Sequence, residues 1–326
     1  MPDAVRPASL RRLAILDDYQ GAALASADFA PLTERGLEIT VFTERIEPAQ
    51  LASRLEPFDA IVAMRERTAF PAQMLRALPR LRLLVNTGRN APNVDLEVAR
   101  QLGIEVCGTG GSAHGAPELT WALMLAALRH LPTELANGAQ GRWQSTVGRE
   151  AAGLTLGLVG LGNIGQKMAR YAEAFGMRVL AWSPHLTPER AERGGAEYVA
   201  SLTELAQRSD VLSVHLKLAE STRGLVNAEV LSALGPHGLL VNTARGPLVD
   251  EAALLTALRS GQLGGAALDV FDVEPLPAEH PLRTAPNTLL TPHIGFVTQQ
   301  SLAAFYAGAV QDVLAYLDGA PVNVLN

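Results

Sequence analysis

An apolar strand that runs into glycines spaced two and three residues apart constrains this chain more than any other feature. The segment LTLGLVGLGNIG spans Leu154 to Gly165, and a helix-compatible stretch, residues 166–173, follows it. In a strand-to-helix turn, Gly160 makes the tight bend, Gly162 lets the backbone approach a pyrophosphate, and Gly165 lets the helix pack closely on its strand. The helix N-terminus offers free N–H groups to phosphates. The spacing therefore predicts a dinucleotide-binding turn.

The length and the rhythm of apolar runs predict an α/β chain of two domains. With 326 residues, the chain exceeds the roughly 250–300 at which one hydrophobic core stops growing. Short apolar runs alternate with helix-like stretches on both sides of the fingerprint, which is typical of parallel sheets. The second half holds six such runs, the complement of a doubly wound dinucleotide domain. The runs are residues 13–16, 39–42, 60–63, 81–85, 104–107, 154–159, 179–182, 211–215, 239–241, 266–270 and 288–290.

Three further segments carry structural expectations. Residues 117–131 are apolar on nearly every side, which predicts a buried helix between the domains or against another subunit. Residues 137–153 are polar and contain glycine, which predicts a surface arm. Residues 299–317 alternate apolar and polar side chains at helical spacing. We expect that last helix to return and pack on the first domain.

The composition argues against several classes of partner. A formal net charge of −6 and a pI near 5.7 disfavour a nucleic-acid-binding surface. Cys107 is the only cysteine, so we expect no intramolecular disulfide and a small buried side chain in a reducing cytoplasm. The N-terminus lacks the apolar core of a signal peptide, and no run approaches the roughly 20 apolar residues of a membrane span. Histidines other than His293 show no metal-ligand spacing, so we expect no metal.

Each of the last three apolar runs is followed by a side chain that can take part in catalysis. Arg245, Glu274 and His293 come after the third-last, second-last and last run, respectively. Doubly wound sheets bind ligands beyond the carboxyl ends of their strands, so the three side chains would share one edge. Singly, they could be a surface cation, a solvated carboxylate and a capping or core histidine. Together they predict one reactive site.

The chain resembles the D-isomer-specific 2-hydroxyacid dehydrogenase family, which includes phosphoglycerate, glyoxylate and hydroxypyruvate reductases. The resemblance runs from the sequence RERT at residues 65–68 through the fingerprint to TPH at residues 291–293. It implies a flavodoxin-like substrate domain of residues 1–108 with 294–326, and an inserted Rossmann domain of residues 109–293. It also implies a small-molecule 2-oxo or 2-hydroxy acid substrate and a homodimer made through the cofactor domains.

By this resemblance, His293 is the acid/base, Glu274 its partner, and Arg245 the anchor for the substrate carboxylate and keto oxygen. The reaction needs a hydride from a nicotinamide and a proton for the developing alkoxide, which a histidine can give and retrieve. A carboxylate stabilises the imidazolium, and a guanidinium fork matches a carboxylate. Asp269 would contact the nicotinamide carboxamide. The residues expected at the cofactor are Gly160, Gly162, Asn163, Ile164, Gly165, Ser183, His215, Thr243, Asp269 and Gly295, and those expected at the substrate are Arg65, Gly88, Arg89, Asn90 and Arg245.

Residues 88–90 depart from the family pattern. Many relatives have Gly-x-Gly where this chain has Gly-Arg-Asn, which adds the cation Arg89. With Arg65 and Arg67, it could bind a phosphate or a second carboxylate. Alternatively, these arginines are solvated or pair with Glu66.

The ribose-binding acid of the family is also absent. Ser183 stands after the second cofactor strand, where relatives carry a carboxylate that repels a 2′-phosphate. Arg190 or Arg193 could reach such a phosphate, although neither follows the strand directly. We expect NAD as the cofactor, with NADP tolerated.

Two other functions compete with the dehydrogenase hypothesis. Relatives of this fold act as dinucleotide-gated corepressors that bind peptides, and the three catalytic residues do not exclude such a sensor. Formate dehydrogenase is disfavoured because that branch has glutamine where Glu274 stands. The few residues after His293 also lead us to expect no appended regulatory domain of the kind frequent in phosphoglycerate dehydrogenases.

Overall fold

The contacts within the protein divide it into two compact units. A computed structural model describes residues 10–326. The first unit contains the residues up to Ser112 with Val297–Asn326, and the second unit contains Ala113–Phe296. Both boundaries between the units lie a few residues further along the chain than the sequence predicts. Thr109 stays in the first unit because its N–H donates to Asn86 O (3.2 Å), and Gly295 stays in the second because its N–H donates to Asp269 Oδ2 (2.8 Å).

The first unit is built on a five-stranded sheet with helices around it. Its strands are β1 (Arg12–Ile15), β2 (Glu38–Val41), β3 (Ala60–Ala63), β4 (Leu83–Asn86) and β5 (Glu105–Gly108). The order β2-β1-β3-β4-β5, with every pair parallel, is the flavodoxin-like order that the sequence predicts. The helices are α1 (Ala23–Ser26), α2 (Ala30–Glu34), α3 (Pro48–Leu55), α4 (Ala72–Arg76), α5 (Leu96–Gln101) and α13 (Gln299–Leu317).

Helix α13 matches the prediction for residues 299–317. It begins after Thr298, whose hydroxyl accepts a hydrogen bond from Ser301 N (3.1 Å) as an N-cap. Its buried face includes Phe305, Ala309 and Val313, which recur at helical spacing. The helix packs on α1, α2 and β4, so it completes the first unit.

The second unit holds a parallel seven-stranded sheet. Its strands are β6 (Thr155–Val159), β7 (Arg178–Trp182), β8 (Glu197–Tyr198), β9 (Val211–Val214), β10 (Leu239–Asn242), β11 (Gly265–Leu268) and β12 (Thr288–Leu290), in the order β12-β11-β10-β9-β6-β7-β8. The sequence predicts six of them. The pattern misses β8 because this strand has only two residues, pairs with β7 alone, and includes the exposed Glu197.

Helices cover both faces of the second sheet. They are α6 (Gly115–Leu128), α7 (Leu131–Ala139), α8 (Asn163–Ala174), α9 (Pro188–Arg193), α10 (Leu202–Gln207), α11 (Ala228–Leu234) and α12 (Glu251–Ser260), with 3₁₀ turns at Glu220–Thr222, Gly246–Leu248 and Pro281–Thr284. Successive strand residues such as Leu240 and Val241 enter different core clusters, as alternation along a strand requires. Within residues 10–326, no helix combines the length and apolar character that a membrane span needs.

The carboxyl ends of six strands lie in register along one edge of this sheet. Partner residues across the edge are, in order, Trp182, Val159, Val214, Asn242, Leu268 and Leu290. Neighbouring strands are about 4.8 Å apart, so the loops that follow β10, β11 and β12 leave the sheet side by side. The strand order reverses between β6 and β9, which is the switch point at which doubly wound sheets bind ligands.

The predicted apolar helix exists, but it ends three residues early. Helix α6 stops at Leu128 because His130 takes a left-handed backbone (φ 50°), and α7 then begins at Leu131 with Pro132 in its first turn. It packs on β10, β11 and α8 of its own unit, which explains its apolar surface.

The predicted surface arm is present but shorter than the predicted residues 137–153. Residues 137–139 end helix α7, and residues 142–150 form neither helix nor strand. They are fastened by Glu134 Oε1, which accepts hydrogen bonds from Ser145 N (3.0 Å), Ser145 Oγ (2.9 Å) and Thr146 Oγ1 (2.7 Å). These bonds, with Thr146 contributing most, lower the pKa of Glu134 to about 2.

The fingerprint glycines make a testable claim about stability. A Cβ on Gly165 would lie 2.2 Å from the Gly160 carbonyl oxygen, whereas one on Gly162 would meet nothing within 4 Å. We expect Gly165→Ala to lower the free energy of unfolding by about 1–3 kcal/mol, since backbone cannot yield easily. Gly162→Ala, the matched control, should cost less than about 1 kcal/mol. Urea denaturation of the cofactor-free protein measures both, and equal losses would contradict this packing account.

Candidate active site

The fingerprint turn has the shape that a dinucleotide requires. Gly160 follows β6 with φ 105°, and its N–H donates to Trp182 O (2.8 Å). A side chain there would meet the backbone of His215 at 3.0 Å, so the turn fits only glycine. Gly162 faces open space, which leaves the backbone accessible to a pyrophosphate. The residues present therefore fit the cofactor that the sequence predicts.

The N-terminus of α8 supplies backbone donors next to this turn. The first intrahelical bond of α8 runs from Gln166 N to Gly162 O (2.9 Å). The N–H groups of Asn163 and Ile164 precede it, and such groups have no partner within a helix. Their contact with a phosphate stays a prediction, which the position of these N–H groups in the first turn of α8 supports.

The loops after β7 and β9 present two more predicted cofactor residues. Ser183 is half-buried directly after β7, and Arg190 Nη1 donates to His185 O (2.9 Å) in the same loop. His215 follows β9, and its Nε2 lies 2.9 Å from Ser213 Oγ, while its Nδ1 is buried without a hydrogen-bond partner among the described residues. Burial lowers the pKa of His215 to about 4, so the ring is neutral.

The loop after β10 carries the predicted cofactor residue Thr243 and is held by Asn242 and Thr120, which the sequence pattern did not single out. Asn242 Nδ2 donates to Arg245 O (2.9 Å), and Asn242 Oδ1 accepts from Ala244 N (3.0 Å), which fixes the backbone around Arg245. The Thr243 hydroxyl lies 2.6 Å from the Thr120 hydroxyl, and Thr120 Oγ1 in turn donates to a carbonyl one helical turn earlier (2.7 Å). Thr120 is the one hydroxyl in the apolar stretch of α6, a signal that could have identified it.

The loops after β10 and β11 also touch. A Cβ on Gly246 would lie 2.1 Å from the Phe271 carbonyl carbon, so only glycine permits this approach. Arg245 precedes Gly246, and Glu274 lies in the loop that follows Phe271. The contact therefore brings the loops of the predicted anchor and the predicted carboxylate together.

Glu274 and His293 form a hydrogen-bonded pair. His293 Nδ1 lies 2.5 Å from Glu274 Oε2, and Glu274 Oε1 accepts from Phe271 N (2.9 Å). Because an ionised carboxylate only accepts, Nδ1 carries the proton. The other ring nitrogen, Nε2, is then available to a substrate oxygen. The side chains are 23% and 32% exposed, so a ligand can reach them.

Phe296 stands beside the reactive ring. Its ring centre is 5.8 Å from that of His293, with an interplanar angle of 77°. Such an edge-to-face contact is favourable and restricts the space around the imidazole.

Asp269 is fully buried, and donors surround it. Its Oδ1 accepts from Thr291 Oγ1 (2.6 Å) and Ile294 N (2.8 Å), and its Oδ2 accepts from Gly295 N (2.8 Å). Burial raises the pKa of this carboxyl, and the three hydrogen bonds oppose the shift. The carboxamide contact predicted for Asp269 remains a prediction, while the N–H of Gly295, a predicted cofactor residue, is taken up by Asp269.

In the first unit, the predicted substrate loop is hydrogen-bonded at both ends and adjoins Arg65. Gly88 has φ 116°, and its N–H donates to Thr109 Oγ1 (3.0 Å). Arg65 Nη1 would be 3.2 Å from a Cβ on Gly88, so the guanidinium lies over this glycine. Asn90 O accepts from Asn86 Nδ2 (2.7 Å), which fixes the far end of the loop.

The three arginines of this region differ in their partners. Arg65 Nε is 3.5 Å from Glu66 Oε2, which agrees with the alternative that these arginines pair with Glu66. Arg67 Nη1 donates to Asp17 O (2.6 Å), and its guanidinium lies 4.3 Å from the Tyr19 ring centre. Arg89 is exposed and forms no ion pair with the residues that the structure describes. In residues 10–326, no cluster of three or more His, Cys, Asp or Glu side chains could hold a metal ion.

Comparison with known proteins identifies the family. Residues 121–295 match the model of the D-isomer specific 2-hydroxyacid dehydrogenase, NAD binding domain. D-3-phosphoglycerate dehydrogenase of Methanocaldococcus jannaschii is 34% identical over 306 residues, which cover 91% of this chain and 58% of that protein. Hydroxypyruvate reductase of Thermotoga maritima is 38% identical over 269 residues, covering 81% of this chain and 86% of that protein.

A solved structure agrees with the family model and with the sequence relatives. The crystal structure of phosphoglycerate oxidoreductase from Vibrio cholerae superimposes with a TM-score of 0.89 at 36% identity, covering 95% of this chain and all of that one. This chain spans a little over half the length of the Methanocaldococcus enzyme. Its fold, its fingerprint and the matched NAD-binding domain establish that the chain belongs to the D-isomer specific 2-hydroxyacid dehydrogenase family and uses NAD(H).

Proposed function

We propose that this protein is an NAD-dependent D-2-hydroxyacid dehydrogenase that interconverts a 2-oxo acid and a D-2-hydroxy acid. The observation that carries the proposal is the 2.5 Å contact between His293 Nδ1 and Glu274 Oε2 at the strand edge that also bears Arg245. The named relatives are dehydrogenases and reductases, which does not favour the dinucleotide-sensing alternative.

The arrangement can supply the proton that the reduction needs. Bound NADH supplies a hydride to C2 of the 2-oxo acid. The protonated His293 donates from Nε2 to the keto oxygen and transfers this proton as the oxygen becomes an alkoxide. Nδ1 keeps its proton and its hydrogen bond to Glu274, so the ring ends the reaction neutral and in the same orientation. In the reverse direction, Nε2 takes the hydroxyl proton, while Arg245 binds the substrate carboxylate and the oxygen at C2.

We assign cofactor binding to the second unit and substrate binding to the loop at residues 88–90 of the first unit. Ser183 does not repel a 2′-phosphate, and Arg190 of α9 donates to the loop that contains Ser183, so NADPH should be used more weakly than NADH but measurably. NADH as the reductant, together with the single buried thiol of Cys107, fits a cytoplasmic enzyme.

We propose a substrate with a second negative charge. Arg89 is exposed and has no ion-pair partner among the described residues, and it places a cation in the loop at residues 88–90. A phosphorylated or dicarboxylic 2-oxo acid would gain a charge-assisted hydrogen bond there, worth about 1.5–3 kcal/mol.

Steady-state reduction of glyoxylate, hydroxypyruvate, phosphohydroxypyruvate and bulkier 2-oxo acids, with NADH and with NADPH, tests the function. We expect turnover, and we expect His293→Ala to lower kcat by about 10²–10⁴-fold, since it removes the general acid. His237→Ala, at an exposed histidine of the same unit, is the control and should leave the rate unchanged. Wild-type protein that binds NADH but reduces no member of the panel would refute the proposal in favour of a sensor.

We further propose a homodimer that uses the arm at residues 142–150. Glu134 fastens the arm, yet Trp143 is 86% exposed and Val147 is 92% exposed. A groove of about 470 Å³, lined by Leu125, Leu131 and Phe175 with Arg129 and Arg149, lies in the same unit. Fixed apolar side chains of this size in solvent are typical of an interaction surface, and a second copy offers both the arm and the groove.

Light scattering after size exclusion tests the dimer. We expect wild type at twice the 34.6 kDa chain mass and Trp143→Ser shifted toward the monomer, because the largest exposed apolar anchor is lost. Leu24→Ser, at a 57% exposed leucine of the first unit, should not change the mass. A monomeric wild type, or a Trp143 variant that dimerises as tightly as wild type, would contradict this assignment.

A further inference from the structure

The turn that carries His293 has an unfavourable backbone. His293 takes φ 51°, in the left-handed region that side chains other than glycine rarely adopt. Its N–H donates to Thr291 O (3.0 Å), so the chain reverses within three residues. Such conformations are unfavourable for residues other than glycine and persist only when the surroundings hold them.

One buried carboxylate binds the turn on both sides of the histidine. Asp269 Oδ1 accepts from Thr291 Oγ1 (2.6 Å), two residues before His293, and from Ile294 N (2.8 Å), one residue after it. Asp269 Oδ2 accepts from Gly295 N (2.8 Å). Asp269 is itself fixed, because its N–H donates to Asn242 O (2.9 Å) in the neighbouring strand.

The close fit leaves the turn little freedom to move. A Cβ on Gly295 would lie 3.1 Å from Asp269 Oδ2 and 3.6 Å from Ala116, so a side chain there would crowd the carboxylate that the amide of Gly295 reaches. Asp269 is fully buried, and a buried charge is retained when hydrogen bonds satisfy it. The Thr291 hydroxyl donates to this carboxylate from a side chain, whereas Ile294 and Gly295 donate from the backbone.

We propose that Thr291 is a positioning residue for His293. Its hydroxyl holds Asp269, and Asp269 holds the turn at residues 291–295 in the one backbone that keeps His293 Nδ1 on Glu274 and Nε2 free for the substrate. Thr291 contacts neither substrate nor cofactor in this scheme. The inference rests on the proposed function for its catalytic consequence, but its structural part concerns the protein without ligands.

Two substitutions at the same position separate positioning from simple packing. Thr291→Val keeps the shape of the side chain and removes only the hydroxyl, whereas Thr291→Ser keeps the hydroxyl and removes a methyl group. Thr288→Val is the matched control, because Thr288 also lies at β12 but donates to Ala285 O (2.9 Å), away from the turn. Thr291→Ala tests the same bond should the valine variant not fold.

Nitrogen NMR of labelled histidine in the cofactor-free protein reads the positioning directly. The His293 signals are assigned by their loss in His293→Ala. We expect wild type, Thr291→Ser and Thr288→Val to show the neutral ring protonated at Nδ1, and Thr291→Val to show a mixture of tautomers. A Thr291→Val spectrum identical to that of wild type would overturn the inference, as would a Thr291→Ser spectrum equal to that of Thr291→Val.

Kinetics give the second readout. We expect Thr291→Val to lower kcat between about tenfold and a hundredfold, because small misplacements of a catalytic group have such effects. KM for NADH and the rates of Thr291→Ser and Thr288→Val should stay within about threefold of wild type. Equal kcat values for Thr291→Val and wild type would refute the positioning role. Absence of turnover in wild type with an intact Nδ1 tautomer would instead count against the proposed function alone.

Discussion

The parallel pairing of β10, β11 and β12 is the constraint on which the candidate site depends. Asn242, Leu268 and Leu290 are backbone partners at the carboxyl ends of these strands, so the three following loops begin side by side. A shift of one residue in either pairing would turn every side chain of the shifted strand to the opposite face. Because the register is fixed by buried apolar side chains on both faces, the stability of the sheet and the geometry of the reactive groups have one cause.

What the sequence predicts, and what it misses, follows from the range of the interactions. The fingerprint and the alternating apolar runs are local patterns, and they identify the main strands and the reactive edge. The support of that edge is not local: Thr120 meets Thr243 across 123 residues, and Thr291 meets Asp269 across 22. A single polar residue in an apolar stretch forms no repeating pattern. Its hydrogen-bond partner can therefore be identified only once the fold is known. Strand β8 is missed for the simpler reason that two residues make no pattern.

Three locally unfavourable features of the second unit lie where chemistry is expected. His293 has a left-handed backbone, Asp269 is a carboxylate at 0% exposure, and Gly246 tolerates no side chain. Each is compensated by a fixed neighbour: a hydrogen-bonded turn, three donors, and an adjoining loop, respectively. Sites that must hold a proton donor at a defined place commonly show such strain, because only a rigid surrounding structure retains it.

The Glu274 carboxylate is proposed to hold the Nδ1 proton of His293 and so to present Nε2 to the substrate, and steady-state kinetics of Glu274→Gln test this most directly. Glutamine can still accept from Nδ1, but it lacks the charge of the carboxylate. A charge-assisted hydrogen bond worth about 1.5–3 kcal/mol is replaced by a neutral one worth about 0.5–1.5 kcal/mol, so we expect kcat for reduction to fall by about tenfold. If kcat of Glu274→Gln equals that of wild type, the carboxylate does not govern His293, and the proposed role of the pair is contradicted.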